Sequence, residues 1–448
     1  MLRILQSIHA LVWGIPTVCL IVCVGIRLTW KTRLSQIRLL PRALRCFFSP
    51  EKKADIGSVT PFQALCTALA ATVGTGNIAG VAGAIALGGP GAVFWMWISA
   101  LFGMVIKCAE ATLAIRYRSR EEGQWVGGTM YMIRNAMSGR WAPMALVYSF
   151  FGVIAAFGVG NATQINAVLT GIHTVVDAAG GTYPAYLDIF IGIGLAVVIF
   201  LLLRGGMGRI GKVAQILVPA AAAGYLLLGL WVLLMRCAEI PDAFRSIVVG
   251  AFTPRAVTGG GVGSFFMAVR TGVSRGIFTN EAGMGTAAMA HAGADVSHPA
   301  QQGLLGIVEV FLDTIVICTM TALVILVSGI PVSYGCDAGA ALTIAAFCEV
   351  CGPWVSIAIA LALSLFAIAT VLGWGLYGIR CTQYLFGNSC LRKFLYLQAG
   401  AVVLGAMLST GSVWLMSEIV NGLMAVPNCI ALWALGPEFF RLMKEYES

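Results

Sequence analysis

Long apolar segments recur along the whole chain and constrain its fold more than any other feature of the sequence. Runs of 18 or more mainly apolar residues are typical of helices that cross a bilayer. Hydrophobic residues make up 59% of the 448 residues, only 10% are charged, and the mean hydropathy is +0.89, whereas soluble domains carry about 25% charged residues. The sequence therefore predicts an all-α integral membrane protein. The candidate spans, numbered 1 to 11, lie near residues 9–29, 60–87, 90–116, 142–176, 184–203, 210–235, 262–290, 300–329, 353–386, 393–411 and 413–435.

The positions of the basic residues predict how the chain is oriented. The formal net charge is +9, but Lys and Arg cluster in short segments between the spans, which does not indicate a nucleic-acid partner. Cytoplasmic segments of membrane proteins carry an excess of Lys and Arg. With an outer N-terminus, most basic residues fall in cytoplasmic segments. We therefore expect a multi-pass protein of the cell (inner) membrane with a cytoplasmic C-terminus. The basic residues left in the outer segments are Arg3, Arg236, Arg245 and Arg255.

Span 2 contains a glycine-rich interruption, LAATVGTGNIAGVAGAI, at residues 69–85. One interpretation is close packing of two membrane helices, because Gly76 and Gly80 match the small-xxx-small pattern. The other is a helix broken near mid-membrane, since glycine weakens a helix and unpaired backbone groups persist in a membrane only where they line a cavity or meet a ligand. Only a broken helix also explains Gly74, Thr75 and Asn77. Broken helices of this kind are a recurring design of secondary transporters.

That design requires a second break in the opposite orientation, and span 7 supplies one. The stretch RTGVSRGIFTNEAGMGTAAMAHA (residues 270–292) carries four glycines together with Asn280 and Glu281. Spans 2–6 and 7–11 then form two inverted five-helix halves, with span 1 extra. The predicted units are an N-terminal span with its basic loop (1–59), a first half (60–236), a second half (237–436) and a cytoplasmic tail (437–448).

Charged side chains inside the spans are costly and are usually paired or functional. Glu281 could bind a cation, cap the amides of the unwound segment, or pair with Arg275. Lys107 and Glu110 are three residues apart on span 3, and we expect them to pair with each other.

Other polar side chains inside the spans are candidates for a binding site. Glu309 and Asp313 lie four residues apart on span 8, so their mutual repulsion requires an external partner or a proton. Asn161 and Gln164 share one face of span 4 and could hydrogen-bond an amino acid or simply a neighbouring helix. On span 9, the hydroxyl of Thr370 could bind a small hard cation.

Three stretches resemble the signatures of the alanine or glycine:cation symporter family: ATVGTGNIAGVAGAIALGGPGAVFWMW, RGIFTNEAGMGTAAMAHA and ATVLGWGLYG. The resemblance covers nearly all of the chain. It implies a leucine-transporter-type inverted-repeat fold of about 11 transmembrane helices, with one extra N-terminal helix. It also implies sodium-coupled symport of small neutral amino acids such as alanine and glycine.

The same resemblance implies roles for individual residues. The implied substrate-binding residues are Thr75, Gly76, Asn161, Gln164, Phe278 and Trp374. The implied cation-binding residues are Ala70, Val73, Asn77, Phe366 and Thr370, with main-chain carbonyls supplied by Ala70, Val73 and Phe366. Structural or coupling roles are implied for Gly74, Gly276, Asn280 and Glu281. The chain departs from the family pattern at Ala369, where a serine is expected and one hydroxyl ligand is missing, and at Thr286 and Ala288, where serine and proline are expected.

These observations predict a secondary active transporter that works by alternating access, and not an enzyme. The sequence has no HExxH motif or phosphate-binding loop, and its GxSxG match at residues 272–276 lies inside predicted span 7, not at a strand-to-helix turn. The expected partners are alanine or glycine, Na⁺ and the lipid bilayer, with no nucleic acid. We expect no cofactor, with sodium as the co-transported ion and no other metal. A proton-coupled transporter that uses Glu281 or the Glu309–Asp313 pair is the main alternative, and a membrane-embedded enzyme is a weaker one.

Overall fold

The computed structural model describes residues 5, 7–9, 12–13, 15–48, 55, 57–178, 180–184, 186–253, 265–335, 339–407 and 410–448. Arg3, Arg255 and the predicted start of span 7 at residues 262–264 lie outside them. The α-helices are α1 (Ile15–Lys31), α2 (Ser35–Arg38), α3 (Leu40–Phe48), α4 (Pro61–Thr72), α5 (Val81–Gly88), α6 (Gly91–Arg116), α7 (Thr129–Ala136), α8 (Ala142–Phe157), α9 (Thr163–Ala178), α10 (Tyr186–Leu203), α11 (Gly206–Met235), α12 (Ile240–Phe252), α13 (Phe265–Asn280), α14 (Ala288–His291), α15 (Pro299–Val310), α16 (Thr319–Val327), α17 (Gly339–Cys351), α18 (Val355–Phe386), α19 (Leu391–Met407), α20 (Thr410–Ala434) and α21 (Gly436–Glu447).

Three π-helical segments connect pairs of these helices within single spans. They lie between α4 and α5 (Gly76–Gly80), between α8 and α9 (Gly158–Ala162) and between α15 and α16 (Phe311–Cys318). Single π-helical turns occur frequently at functional sites. Strands β1 (Ser119–Glu121) and β2 (Gln124–Val126) form one short antiparallel hairpin.

Within the described residues, seven helices are long and apolar enough to cross a membrane, or up to nine if each bent pair counts as one span. The count of eleven spans therefore remains a prediction. Two of the predicted spans, spans 1 and 7, are not among these helices because fewer than 18 of their residues form one described helix. Helix α1 has 17 residues and α13 has 16. The bent pairs are residues 61–72 with 76–88, and 418–434 with 436–447.

The first half of span 2 begins where local sequence dictates. Thr60 and Gln63 form a capping box, in which each side chain accepts a hydrogen bond of 3.2 Å from the backbone amide of the other. Pro61 occupies the first turn of the helix, where its missing N–H costs nothing. These residues place the entrance to span 2 independently of its tertiary contacts.

The helices of the two predicted halves pack against their counterparts. Span 2 packs on span 7, span 3 on span 8, span 4 on span 9 and span 5 on span 10. This is the pattern expected of an inverted repeat whose halves meet at one axis. The extra helix α1 lies outside that arrangement, against spans 3 and 11.

Glycines on spans 7 and 8 allow close approach to span 3. A Cβ at Gly306 would lie 2.8 Å from the carbonyl oxygen of Lys107, and one at Gly276 would lie 2.1 Å from Oγ of Ser99. Both distances are shorter than packed side chains tolerate, so these positions admit no larger residue without movement. Small residues are enriched in this way at membrane helix interfaces. The predicted structural role of Gly276 thus corresponds to a tight packing contact with span 3.

Candidate functional site

Span 2 is broken at the glycine-rich stretch, as predicted. Residues 61–72 and 76–88 form two helices that are bent by 53° relative to each other. Val73 adopts an extended conformation that ends the first helix. The side-chain oxygen of Asn77 then accepts a hydrogen bond of 2.9 Å from the backbone amide of Gly74. Asn77 therefore orders the break, and its implied role in cation binding stays a prediction.

Neighbouring elements hold the backbone just after this break. Asn77 donates from its amide nitrogen to a carboxylate oxygen of Asp313 on span 8, at 2.7 Å. Thr321 on the same span donates to the carbonyl oxygen of Asn77 at 2.9 Å. Thr343 on α17 donates to the carbonyl oxygen of Ile78 at 3.1 Å. Side chains thus satisfy carbonyls that a regular helix would pair internally.

Span 7 contains the second predicted break. Helix α13 ends at Asn280, and the chain continues without regular helix until the short α14. Glu281, Gly283 and Gly285 all have positive φ angles, of 54°, 93° and 75°. Such angles are routine for glycine but uncommon for glutamate. The side-chain oxygen of Asn280 accepts from the amide of Ala282 at 3.0 Å, so each break begins with an asparagine-capped turn.

Glu110 satisfies the unwound segment of span 7. One of its carboxylate oxygens accepts from the amides of Gly283 and Gly285, at 3.0 and 3.1 Å, and from the side chain of Asn428 at 2.7 Å. The predicted pairing of Lys107 with Glu110 is wrong, because Glu110 faces these donors. The ammonium of Lys107 lies 3.0 Å from a carboxylate oxygen of Glu309 on span 8, and both side chains are fully buried.

Glu281 has neutral partners in the structure. Its two oxygens accept from the hydroxyl of Thr286 at 2.7 Å and from the indole nitrogen of Trp374 at 2.9 Å. Pairing of Glu281 with Arg275, one of its three possible roles, does not form, because Arg275 forms an ion pair with Glu418 instead. Amide capping of the unwound segment falls to Glu110. A cation-binding role for Glu281 stays a prediction.

Glu309 has the external partner that its spacing from Asp313 requires. Besides Lys107, it lies 2.9 Å from a ring nitrogen of His291, at the end of the second break. The other ring nitrogen of His291 is 2.7 Å from the side-chain amide of Gln302. These buried groups connect spans 3 and 8 to the segment that follows the break in span 7.

A cavity of about 560 Å³ lies against the break in span 2 and against the helix that precedes the break in span 7. Span 2 contributes the four residues around its π-helical segment, and spans 4 and 7 contribute one helix face each. The remaining wall comes from the N-terminal segment, α17, span 9 and span 11. The lining residues are His9, Thr75, Gly76, Ala79, Gly80, Asn166, Ala167, Thr170, Gly171, Arg275, Phe278, Gly339, Ala340, Ala341, Ile344, Leu363, Leu415 and Glu418.

The structure places only some of the predicted substrate-binding residues on this cavity. Thr75, Gly76 and Phe278 line it, whereas Asn161, Gln164 and Trp374 do not. Gln164 lies behind the cavity wall, where it accepts a hydrogen bond of 3.3 Å from the hydroxyl of Thr75. Trp374 donates a hydrogen bond to Glu281.

The last of the three, Asn161, lies within the π-helical segment of span 4. Its side-chain nitrogen donates to the carbonyl oxygen of Gln398 on span 10 at 2.9 Å. This is the helix–helix contact that sequence reasoning had left open as an alternative. Asn166 and Thr170, one and two turns further along the same span, line the cavity instead.

Span 2 meets span 9 beside Thr370, one of the predicted cation ligands. A Cβ at Gly74 would lie only 2.6 Å from the hydroxyl of Thr370, so the broken backbone touches that side chain. The Thr370 hydroxyl donates to the carbonyl oxygen of Phe366 at 3.0 Å, which brings two predicted ligands together. A Cβ at Gly373 would lie 2.7 Å from the backbone nitrogen of Ala71, so the contact continues along both helices.

An ionic cluster on the cavity wall was missed by the sequence analysis. Glu418 on span 11 lies 2.9 Å from Arg275 on span 7 and 2.6 Å from a ring nitrogen of His9. The indole nitrogen of Trp13 donates to the carbonyl oxygen of Glu418 at 2.6 Å. His9 and Glu418 are 409 residues apart, so no local pattern could have related them.

Hydrogen bonds also connect the residue before span 2 and the end of span 3 to the segment that follows span 7. Val59 donates to the carbonyl oxygen of Gly293 at 3.0 Å and accepts from the amide of Asp295 at 2.9 Å. Arg118 donates to the carbonyl oxygens of Ala292 and Ala294 at 3.1 and 2.7 Å. These contacts join the entrance of span 2, the end of span 3 and the segment after span 7.

The described residues contain no group of three or more His, Cys, Asp or Glu side chains that could hold a metal ion. Cys348 and Cys351 on α17 have the Cys-x-x-Cys spacing, and both thiols are free. The ligands predicted for sodium are main-chain carbonyls and one hydroxyl, which are the oxygen donors that hard cations prefer.

Solved structures show the same fold. MhsT, in a crystal structure with L-phenylalanine, superposes with a TM-score of 0.60 at 16% sequence identity, covering 85% of this chain and 90% of MhsT. Mhp1, a nucleobase-cation-symport-1 family transporter, superposes with a TM-score of 0.54 at 13% identity, covering 89% of this chain and 80% of Mhp1. The leucine-transporter-type fold class that the sequence predicts is thereby confirmed.

Sequence comparisons identify the family. The model of the sodium:alanine symporter family matches residues 1–448. The chain is 40% identical over 438 residues to the sodium/alanine symporter AgcS of Methanococcus maripaludis, covering 96% of this chain and 94% of AgcS. It is 41% identical over 447 residues to an uncharacterized transporter of Haemophilus influenzae, covering 99% of this chain and 95% of that protein. The chain belongs to the sodium:alanine symporter family.

Proposed function

We propose that this secondary active amino acid symporter carries a small neutral amino acid, alanine or glycine, into the cell together with sodium. The observation that supports the proposal most directly is the contact of the broken backbone at Gly74 with the hydroxyl of Thr370, beside a cavity that reaches the break in span 2. The carbonyls of Ala70, Val73 and Phe366, with the Thr370 hydroxyl, would bind the sodium ion.

The substrate carboxylate would meet the start of the second helix of span 2. The first amides of a helix have no partner within it, and they carry the positive end of the helix dipole. Thr75 and Gly76 occupy this position and line the cavity. A carboxylate placed there would lie close to the sodium ion, so each ligand would favour binding of the other.

The cavity is larger than glycine or alanine requires. Selection of a small substrate would therefore need the cavity to narrow as the transporter closes around it. Phe278 on the wall is half-buried and packs edge-on against Trp13, with ring centroids 6.2 Å apart. Movement of this aromatic pair toward span 2 would reduce the volume beside Thr75 and Gly76.

The cavity would open to the outside in the predicted orientation. Its rim includes His9 near the N-terminus and the first residues of α17, which belong to predicted outer segments. The C-terminal helix α21 lies against the basic segment after span 1, where Glu447 is 2.8 Å from Arg38. It also contacts the end of span 3, where Glu438 is 2.8 Å from Arg116. Both of these segments are predicted to be cytoplasmic, as is the C-terminus.

Uptake into proteoliposomes tests the proposal. We expect radiolabelled alanine and glycine to accumulate under an inward sodium gradient and not under a potassium gradient or a proton gradient alone. Glutamine belongs in the substrate panel because the cavity has room for it. Accumulation driven only by a proton gradient would favour the proton-coupled alternative, and the absence of uptake under any gradient would contradict transport.

Replacing Thr370 with alanine tests the sodium site. We expect Thr370→Ala to raise the sodium concentration needed for half-maximal uptake much more than it changes substrate preference. Ser364→Ala is a matched control, because Ser364 lies on the same helix and its hydroxyl likewise bonds the carbonyl four residues earlier, at 2.8 Å. Equal sodium dependence in the two variants would contradict the assignment of Thr370.

A further inference from the structure

The segment at the end of α1 exposes large apolar and basic side chains within a short stretch of chain. Trp30 is 81% exposed, and Leu34 and Ile37 are 51% and 52% exposed. Lys31 and Arg33 lie between Trp30 and Leu34 in the chain and are also exposed. A surface of this composition at the end of a membrane span is typical of the membrane–water interface. We call these five residues the interfacial turn.

The backbone of the interfacial turn adopts a conformation that is uncommon for residues other than glycine. Arg33 and Leu34 have positive φ angles, of 55° and 58°. The amide of Leu34 donates to the carbonyl oxygen of Thr29 at 2.9 Å, and that of Arg33 donates to the carbonyl oxygen of Trp30 at 3.2 Å. Helices commonly end in such a left-handed turn, but usually with glycine. The chain has a cation and a large apolar side chain there at a cost in backbone strain, which favours a role for both side chains at the surface.

Neighbouring helices hold the interfacial turn in place. The side-chain amide of Gln36 on α2 donates to the hydroxyl of Thr29 on α1 at 3.0 Å, and Gln36 is buried. Helix α3 packs on span 8. Phe47 on α3 also packs against Phe62 on span 2, with ring centroids 5.6 Å apart. The turn therefore presents its side chains from a fixed position on the body of the protein.

The basic residues of this region fall into two groups. Arg38 lies 2.8 Å from Glu447 on the C-terminal helix, and the guanidinium of Arg42 lies over the ring of Tyr446, 4.3 Å from its centroid. These two cations are used within the protein. Lys31 and Arg33, in contrast, have no ion-pair partner among the residues that the structure describes. Their charges are directed to a partner outside the chain.

We propose that the interfacial turn binds a phospholipid of net negative charge, with Lys31 and Arg33 on its phosphate and Trp30, Leu34 and Ile37 beside its acyl chains. Arginine and lysine form strong charge-assisted hydrogen bonds with phosphate oxygens. Basic residues next to a membrane span attract anionic lipids, and tryptophan is enriched at the level of the headgroups. In the predicted orientation this lipid belongs to the inner leaflet.

Photocrosslinking of lipids to the reconstituted full-length protein tests the proposal. The probes are phosphatidylglycerol and phosphatidylcholine that carry a photoactivatable group at the same position of an acyl chain. Each is added at a low level to phosphatidylcholine proteoliposomes, and crosslinks are mapped by mass spectrometry after chymotryptic digestion. In the wild type, phosphatidylglycerol should crosslink to peptides of residues 30–37 several-fold more than phosphatidylcholine does. High salt should reduce this preference, because salt screens exposed charges.

Replacing the two cations tests the phosphate contact. The double variant Lys31→Gln with Arg33→Gln should lose the preference for phosphatidylglycerol at the turn. The double variant Arg392→Gln with Lys393→Gln is the matched control, since these two residues are likewise exposed and lie at the start of α19. The control removes the same amount of charge from the protein and should keep the preference.

Three results would overturn the inference. They are equal crosslinking of the two lipids at the turn of the wild type, an unchanged preference in the Lys31 and Arg33 variant, and an equal loss of preference in the control. The salt dependence of the wild type provides a test that needs no variant. Since crosslinking reports lipid contact and not uptake, these results are independent of the proposed transport.

Leu34→Gly tests the apolar contact separately. Glycine relieves the strain at this position, so the variant should remain folded, and its unfolding temperature should not fall. Loss of the leucine side chain should nevertheless reduce crosslinking of both lipids at the turn. Unchanged crosslinking would show that Leu34 only ends the helix and would contradict its place in the lipid site.

Discussion

The indole nitrogen of Trp374 donates a hydrogen bond of 2.9 Å to a carboxylate oxygen of Glu281. Glu281 is the first residue beyond α13, and its φ angle of 54° starts the unwound segment. Trp374 lies on span 9, one turn after Thr370. The hydroxyl of Thr370 contacts the break in span 2. One helix therefore contacts both breaks, and a change at either break can reach the other through it.

Trp374→Phe removes this hydrogen bond while it preserves most of the aromatic volume. We expect the uptake rate to fall by about tenfold or more, because a hydrogen bond to a charged group contributes about 1.5–3 kcal/mol. Initial uptake at matched protein levels in proteoliposomes provides the measurement.

Tyr377→Phe provides the control for the loss of a polar group nearby on the same helix. The Tyr377 hydroxyl is buried and has no hydrogen-bond partner among the residues that the structure describes, so its removal should change uptake little. A wild-type rate in Trp374→Phe would show that the contact with Glu281 is not needed for transport.

Gly74→Ala should impair transport because the added Cβ would lie 2.6 Å from the hydroxyl of Thr370. Either the break or span 9 must move, and both form part of the proposed sodium site. We expect a marked loss of apparent sodium affinity.

Gly80→Ala is the matched control in the same span. Its added Cβ would meet only the hydroxyl of Thr279, at 3.7 Å, which is an ordinary contact. Equal sodium affinity in the two variants, measured as the sodium dependence of uptake, would argue against a close functional contact between Gly74 and Thr370.

Glu110 provides a prediction about stability. Glu110→Ala would leave the amides of Gly283 and Gly285 and the side chain of Asn428 without their shared acceptor. Each buried unsatisfied group costs about 1–3 kcal/mol, so we expect a large drop in the thermal unfolding temperature. Glu110→Gln keeps a side-chain oxygen for these donors and should be much closer to the wild type. Equal unfolding temperatures for the two variants would contradict a role for this oxygen in holding the unwound segment.

The sequence predicts both breaks because their causes are local. Glycines that weaken a helix and asparagines that cap the adjoining amides stand side by side at each break. The family resemblance adds Thr75, Gly76 and Phe278 as substrate-binding residues, and these three line the cavity.

The partners of the buried charges could not be predicted in this way. Lys107 and Glu110 have the spacing of a helical ion pair, yet the unwound amides of span 7 attract Glu110 and leave Lys107 to Glu309. The partner of each charged side chain depends on where the unwound amides of span 7 lie in the folded protein. Spacing along span 3 does not give that position. The cavity wall formed by His9, Arg275 and Glu418 likewise combines segments from both ends of the chain.

The buried pair of Lys107 and Glu309 offers the last prediction. Lys107→Met should destabilise the protein strongly, because breaking a buried ion pair costs about 3–5 kcal/mol and leaves an uncompensated charge. The double variant Lys107→Met with Glu309→Gln should recover part of the loss, since it removes that charge. Thermal unfolding of the two single variants and the double variant gives the coupling between the two residues.

The surface pair of Arg441 and Glu438 supplies the comparison, because exposed pairs contribute little to stability. Arg441→Met should leave the unfolding temperature nearly unchanged, although Arg441 lies 2.7 Å from Glu438.

If the double variant at Lys107 and Glu309 is instead less stable than Lys107→Met alone, the remaining carboxyl group is already neutral, held by His291 or a proton. In that case fewer of the buried acidic side chains are ionised than the ion pairs indicate.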